Sequence, residues 1–112
     1  MRGDLQHLTR HCTEDYVLFW GDAPPLLGRE AVREMYGSML LEGVFSLTYE
    51  LEDLRIDGAL ATVCMRELLI LRPRDATVLE HFALRRLSVL QHENGRWQFV
   101  RSMVHLQALE TI

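Results

Sequence analysis

The chain has 112 residues, 48% of them hydrophobic and 25% charged, with a net charge of −4. That balance fits one folded domain and excludes a disordered chain. The acidic balance leaves no basic footprint for nucleic acid or an anionic membrane, and no apolar run approaches the roughly 20 residues of a bilayer span.

All twelve basic side chains are Arg, which removes lysine Schiff bases, lysine nucleophiles and a phosphate-loop lysine together. Cys12 and Cys64 are too few and too far apart for a disulfide scaffold or a cysteine metal site. Reduced thiols, and an N-terminus (Met1-Arg2-Gly3-Asp4) without the apolar stretch of a secretory signal, give cytoplasmic as the expected location. No repeat, linker or low-complexity tract divides residues 1–112, so a single domain is expected.

In chain order, Asp4 to about Thr13 places Leu5, Leu8 and Cys12 at helical spacing, with Asp4 as a cap. Tyr16-Val17-Leu18-Phe19-Trp20 is a short β-prone run, broken by Gly21-Asp22-Ala23-Pro24-Pro25. From Arg29 to Leu41, the residues Val32, Met35, Tyr36, Met39 and Leu40 repeat at helical spacing, and Gly43 ends the pattern. Phe45, Leu47, Tyr49 and Leu51 then alternate with polar residues, as in a strand with one solvated face. Asp57-Gly58 signals a hairpin into Leu60–Leu71, Pro73-Arg74-Asp75 a turn into Thr77–Gln91, and Asn94-Gly95 a turn into Trp97–Leu106. Two helices followed by four long strands in a meander predict an α+β fold, with the helices on one face of a curved antiparallel sheet.

Leu60–Leu71, Val78–Leu90 and the last strand are apolar on both sides, so burial on both faces is expected. The helices cover one face. A second subunit is the economical cover for the other, and a homodimer packed through the sheet is expected.

Three phrases, in this order and spacing, carry a resemblance: Glu14-Asp15-Tyr16-Val17, Gly28-Arg29-Glu30-Ala31-Val32-Arg33-Glu34-Met35-Tyr36, and Asn94-Gly95-Arg96-Trp97. Over nearly the whole chain they resemble the nuclear transport factor 2-like superfamily. Within it the chain is most similar to SnoaL-like domains and to the association domain of calcium/calmodulin-dependent kinase II. The resemblance implies a cone-shaped, cystatin-like fold. It implies no single function, because that scaffold hosts isomerases, cyclases, dehydratases, binding proteins and assembly domains. Family members open with a long helix across the mouth of the cone, for which this sequence has no room. Three explanations stay open: an open pocket, a partner that covers it, or a start further upstream.

The superfamily's steroid isomerases place a general-base Asp where this chain has Trp20, and a second acid near Leu87. Asp22, two residues beyond Trp20, falls in the turn and is expected to be solvated. The resemblance therefore carries no isomerase acid pair. Tyr36 matches a cavity-lining tyrosine of those enzymes, so it is expected either to donate a hydrogen bond to a ligand oxygen or to serve as a core tyrosine.

Strand parity turns Val63, Met65, Glu67 and Leu69 inward. On the next strand the parity implied by the family turns His81, Arg85 and Leu87 inward. Glu67 is then expected to pair with Arg85, as a buried carboxylate needs a partner. His81 beside that pair is either the acid–base group or merely hydrogen-bonded. Arg101 and His105 share a face with Trp97, Phe99 and Met103, and that face is either the dimer surface or, in the opposite register, the pocket. His7 and His11 have helical metal-ligand spacing without a supporting third ligand, so no metal is expected. No nucleophile elbow, phosphate loop or dinucleotide fingerprint occurs.

These residues predict a small-molecule pocket for an apolar or aromatic ligand. Its wall would be Trp20, Met39, Val63, Met65, Glu67 and Leu69, with Tyr36, His81 and Arg85 as polar contacts. Any reaction would be a cofactor-free cyclisation, isomerisation or dehydration, with His81 carrying the proton and Tyr36 or Arg85 stabilising an oxyanion. A ligand sensor without turnover is a third possibility. The alternative is a non-catalytic dimerisation or association module.

Overall fold

Four hydrogen-bonded strand pairs in a row carry most of the chain. The structure, a computed structural model, describes residues 10–74 and 79–107, and among them not the side chains of Val44 and Phe45. Its elements are β1 (Cys12–Trp20), β2 (Leu26–Leu27), α1 (Arg29–Glu42), β3 (Gly43–Asp57), β4 (Leu60–Pro73), β5 (Glu80–Glu93) and β6 (Arg96–Leu106). They form one six-stranded sheet in the order β2-β1-β6-β5-β4-β3.

The meander predicted from alternation and turn residues is present, β3 to β6 pairing antiparallel in sequence order. Asn94 and Gly95 both have positive φ, 54° and 79°. That is the conformation a two-residue hairpin turn demands and the reason an Asn-Gly pair marks it.

Two expectations are corrected. The sheet is mixed rather than wholly antiparallel, because β1 runs parallel to β6, with Val17 beside Arg101 and Phe19 beside Met103. The helix expected over Asp4–Thr13 lies mostly outside the described residues, and at its end Cys12 and Thr13 are already in β1. Cys12 is buried with Tyr16 and Leu18. Strand spacing, not helical spacing, therefore accounts for its apolar neighbours.

α1 lies on one face of the sheet, the inner face, touching β1, β2 and β3. Val32 is its buried residue, and Met35, Tyr36, Met39 and Leu40 pack around a core of Tyr16, Leu18, Leu69, Leu84 and Val104. Arg29, in its first turn, donates to the Cys12 carbonyl at 3.2 Å and ties the helix to β1. At the other end Gly43 passes so close to β4 that a Cβ there would sit 2.4 Å from the Arg72 carbonyl oxygen. Space, not backbone angle, demands glycine at that position.

Two bulges set which side chains face inward. One falls between Leu51 and Asp53 on β3 and the other between Val89 and Leu90 where β5 meets β6, leaving Glu52 and Val100 as extra residues. Each bulge reverses the inward–outward alternation of its strand. Tyr49, Leu51, Leu54 and Ile56 remain exposed at the far end of β3, beyond the reach of α1.

Candidate functional site

Pairing register builds the site. Met65 stands opposite Arg86 and Glu67 opposite Leu84, while Arg86 stands opposite Val104 and Ser88 opposite Ser102. All of these share the inner face. The bulge at Val100 keeps Phe99 on that face, and α1 adds Val32 and Tyr36 from above. Together they enclose a half-open cavity of about 280 Å3 whose apolar wall includes Val32, Leu47, Met65 and Phe99. Its polar wall is Tyr16, Tyr36, Glu67, Arg86 and Ser102, and the exposed His11 and Tyr49 stand at the mouth. The volume is just below the roughly 300–1,000 Å3 of ligand sites, which suits a compound of one or two rings.

Glu67 and Arg86 form the charged centre. The Arg86 Nε donates to Glu67 Oε2 at 2.5 Å, and the two side chains are only 3% and 11% exposed. Burial works against the Arg86 charge, but Tyr36, Glu67 and the hydrogen bond from Arg86 to Glu67 outweigh it and hold the guanidinium above its ordinary value. It stays a cation at any working pH.

Beside the pair runs a line of buried hydroxyls. The Tyr16 phenol lies beside Ser102 and is influenced by it, and Ser102 Oγ lies 2.7 Å from Ser88 Oγ. Burial raises the Tyr16 phenol above its usual range, partly opposed by Ser102 and Arg86. Burial also pushes the Cys12 thiol up to about 11, against the pull of Arg86 and Arg29. Cys12 is therefore a neutral wall group and not a nucleophile.

Of the residues singled out in the sequence, the structure brings Tyr36, Met65 and Glu67 to this cavity. Leu69 is buried in the core, Trp20 packs against it, and Val63 is half-buried further along β4. Met39 borders a separate hollow with Glu42, Leu71 and Pro73.

His81 and Arg85 require correction. Both are exposed on the outer face, with His81 opposite Ile70 and Arg85 opposite Arg66. Arg85 there clasps Glu52, the bulge residue of β3, through two bonds of 2.9 and 3.1 Å. The partner expected for Glu67 was one residue off. Arg86 takes that place, so neither His81 nor Arg85 can reach a ligand in the cavity.

Leu87, expected inward, is likewise exposed outside. Arg101, Met103 and His105 also face outward, whereas Phe99 of the same strand lines the cavity. Asp22 is exposed in its turn, and His7 lies outside the described residues.

Arg86 and Ser102 were not singled out in the sequence, and Tyr16 and Phe99 were named there only for their strands and faces. Alternation within Tyr16-Val17-Leu18-Phe19-Trp20 offered a signal for Tyr16, since it shares a face with the buried Leu18. Among the described residues no three His, Cys, Asp or Glu side chains gather to hold a metal ion, and no helix is long and apolar enough to cross a membrane.

The sequence profile of the SnoaL-like domain family matches residues 1–105. No curated protein matches the chain. Solved structures with the same fold include a ketosteroid isomerase-like protein from Erwinia carotovora atroseptica. It is 22% identical with a TM-score of 0.83, over 96% of this chain and 85% of that one. A chain from Streptomyces avermitilis, assigned provisionally as a dehydratase of the nuclear transport factor 2-like family, is 14% identical with a TM-score of 0.78, over 96% and 86%. A nuclear transport factor 2-like protein with a cystatin-like fold from Novosphingobium aromaticivorans is 15% identical with a TM-score of 0.71, over 93% and 70%. At these identities the likenesses establish the fold alone.

Proposed function

Because the chain belongs to the SnoaL-like domain family, we propose that it binds a small ring compound in the inner-face cavity, its polar groups held by Tyr16, Tyr36, Glu67 and Arg86. One observation carries the reading: a carboxylate–guanidinium pair and two phenols meet on the wall of an otherwise apolar, half-open hollow. A buried ion pair contributes little that apolar side chains of similar volume would not supply. Its placement on a cavity wall suits recognition better than packing.

The same wall holds the parts of a cofactor-free proton transfer. Glu67 would accept a proton from a carbon or oxygen acid, and a tyrosine hydroxyl would donate to the oxyanion that forms. The fold shared with ketosteroid isomerase-like and dehydratase-like chains supports this class of chemistry. The roles expected of His81 and Arg85 pass to Glu67 and Arg86, which face the cavity.

The test is a thermal-shift screen of the whole protein against small aromatic and polycyclic compounds. A ligand at a hundred times its dissociation constant adds about 2.7 kcal/mol of stability. A hit should weaken in Tyr36→Phe, and any product formed from it should be lost in Glu67→Gln. A flat panel on a protein that melts cooperatively would refute the reading.

The outer face supports association of two copies of this chain as an accompanying role. Cys64, Leu87, Met103 and Phe19 lie in one cross-strand row over four strands, the last three between 39% and 58% exposed. An exposed apolar row of this kind is what a second copy would cover. Light scattering should then give a dimer that Leu87→Glu dissociates, and a monomeric parent protein would count against it.

A further inference from the structure

We propose that the cavity selects electrically neutral ligands, ring compounds bearing a carbonyl or hydroxyl group, and rejects their carboxylate counterparts. This deepens the binding reading above and rests on it. The charged groups of the wall already cancel. Glu67 and Arg86 are one anion and one cation in direct contact, with 3% and 11% of their side chains exposed. An incoming carboxylate would bring a third charge into that site without a counter-ion. It would have to share the Arg86 guanidinium with Glu67, at the distance where two carboxylates repel.

The remaining polar atoms of the wall are neutral. They are the Tyr16 and Tyr36 phenols, the Ser102 hydroxyl and the Cys12 thiol, which can donate to a carbonyl oxygen or accept from a hydroxyl. Two other cations stand near, both off the cavity wall. Arg29 is held by the Cys12 carbonyl, with Glu14 at 4.0 Å. Arg10 is exposed and donates to His11 Nε2 at 3.3 Å at the mouth, where water screens its charge.

Titration calorimetry of the whole protein at pH 7 with 2-acetonaphthone and 2-naphthoate tests the inference, because the two probes share ring and outline and differ in charge. The ketone is expected to bind roughly tenfold or more tighter, the scale set by an uncompensated buried charge. Glu67→Gln keeps the shape of the side chain and leaves Arg86 without its anion. The order should then reverse, and naphthoate should raise the melting temperature of this variant more than that of the parent.

Tighter naphthoate binding by the parent protein, or an unchanged order in Glu67→Gln, would overturn the inference while leaving the pocket in place. Should Glu67→Gln fail to fold even with naphthoate, the double variant Glu67→Gln/Arg86→Met, again neutral, decides. It should keep the preference for the ketone, and naphthoate binding by it would overturn the idea. If the parent binds neither probe, the binding reading itself falls, and the inference with it.

Discussion

Replacing Glu67 or Arg86 singly, and then together, separates what the buried pair does for folding from what it does for a ligand. Each single change, Glu67→Leu or Arg86→Met, strands a charge whose side chain is 11% exposed or less. Removing one member of such a pair costs about 3–5 kcal/mol. A domain of this size has only about 5–15 kcal/mol in total, so either single variant should be close to unfolding. The double variant should recover most of the loss, since apolar side chains of similar volume then meet where the charges stood.

Urea unfolding followed by tryptophan fluorescence gives the numbers. With a slope of about 1.5 kcal/mol/M, each single variant should lower the midpoint by about 2 to 3 M. The double variant should fall within about 1 M of the parent. Single losses that are small and simply add in the double variant would show that water screens the pair, and the account of the cavity wall given above would be refuted.

Other expectations follow from named contacts. Cys12 keeps its proton to about pH 11 when folded, while in the unfolded chain it titrates near the ordinary thiol value of 9.0. Its contribution is complete below about pH 9 and is lost as pH rises from there towards 11, and the raised Tyr16 phenol acts in the same direction. The melting temperature should therefore fall over that range, and a flat profile to pH 11 would contradict the burial of both groups. Gly43→Ala should destabilise by about 2 kcal/mol or more by urea titration, because the new methyl meets backbone and cannot be relieved by a rotamer change. Arg85→Ala should leave ligand affinity untouched in the calorimeter, since its guanidinium is spent on Glu52 on the outer face.

How much of this was legible before the structure differs strand by strand. α1, β4 and β6 were readable to within two residues and β3 and β5 as elements with looser ends, since turn pairs such as Asn94-Gly95 and the clean spacing of Val32, Met35, Tyr36 and Met39 left few alternatives. β4 was read in the right phase, and Glu67 and Met65 came out on the cavity side. β5 was not. Phe82, Ala83, Leu84, Leu87, Val89 and Leu90 make it apolar on both sides, so alternation carries no phase, and adjacent Arg85 and Arg86 make either choice look alike. A one-residue slip exchanges the faces, and it put Arg85 and His81 in a pocket they do not reach. In β6 the extra residue Val100 broke the phase midway, so Phe99 and Met103, expected on one face, lie on opposite ones. Bulges leave little mark in a single sequence. The parallel partner of β1 was equally hidden, because nothing local tells a strand which distant neighbour it joins.

That parallel pairing has a consequence for when the pocket comes into being. The meander from β3 to β6 closes through tight turns, each strand meeting the one just made. β1 must instead find β6 across most of the chain, as in the bond from Arg101 to the carbonyl of Asp15, 86 positions away. Closing so large a loop is slow, and the contacts that repay it come only once β1 is seated. Tyr16 and Cys12 arrive with β1, and the hydroxyl line from Tyr16 through Ser102 to Ser88 is incomplete until then. A half-folded chain can thus hold a nearly finished sheet and still have no binding site, so ligand occupancy reports the completion of folding and acts as a latch on its last step.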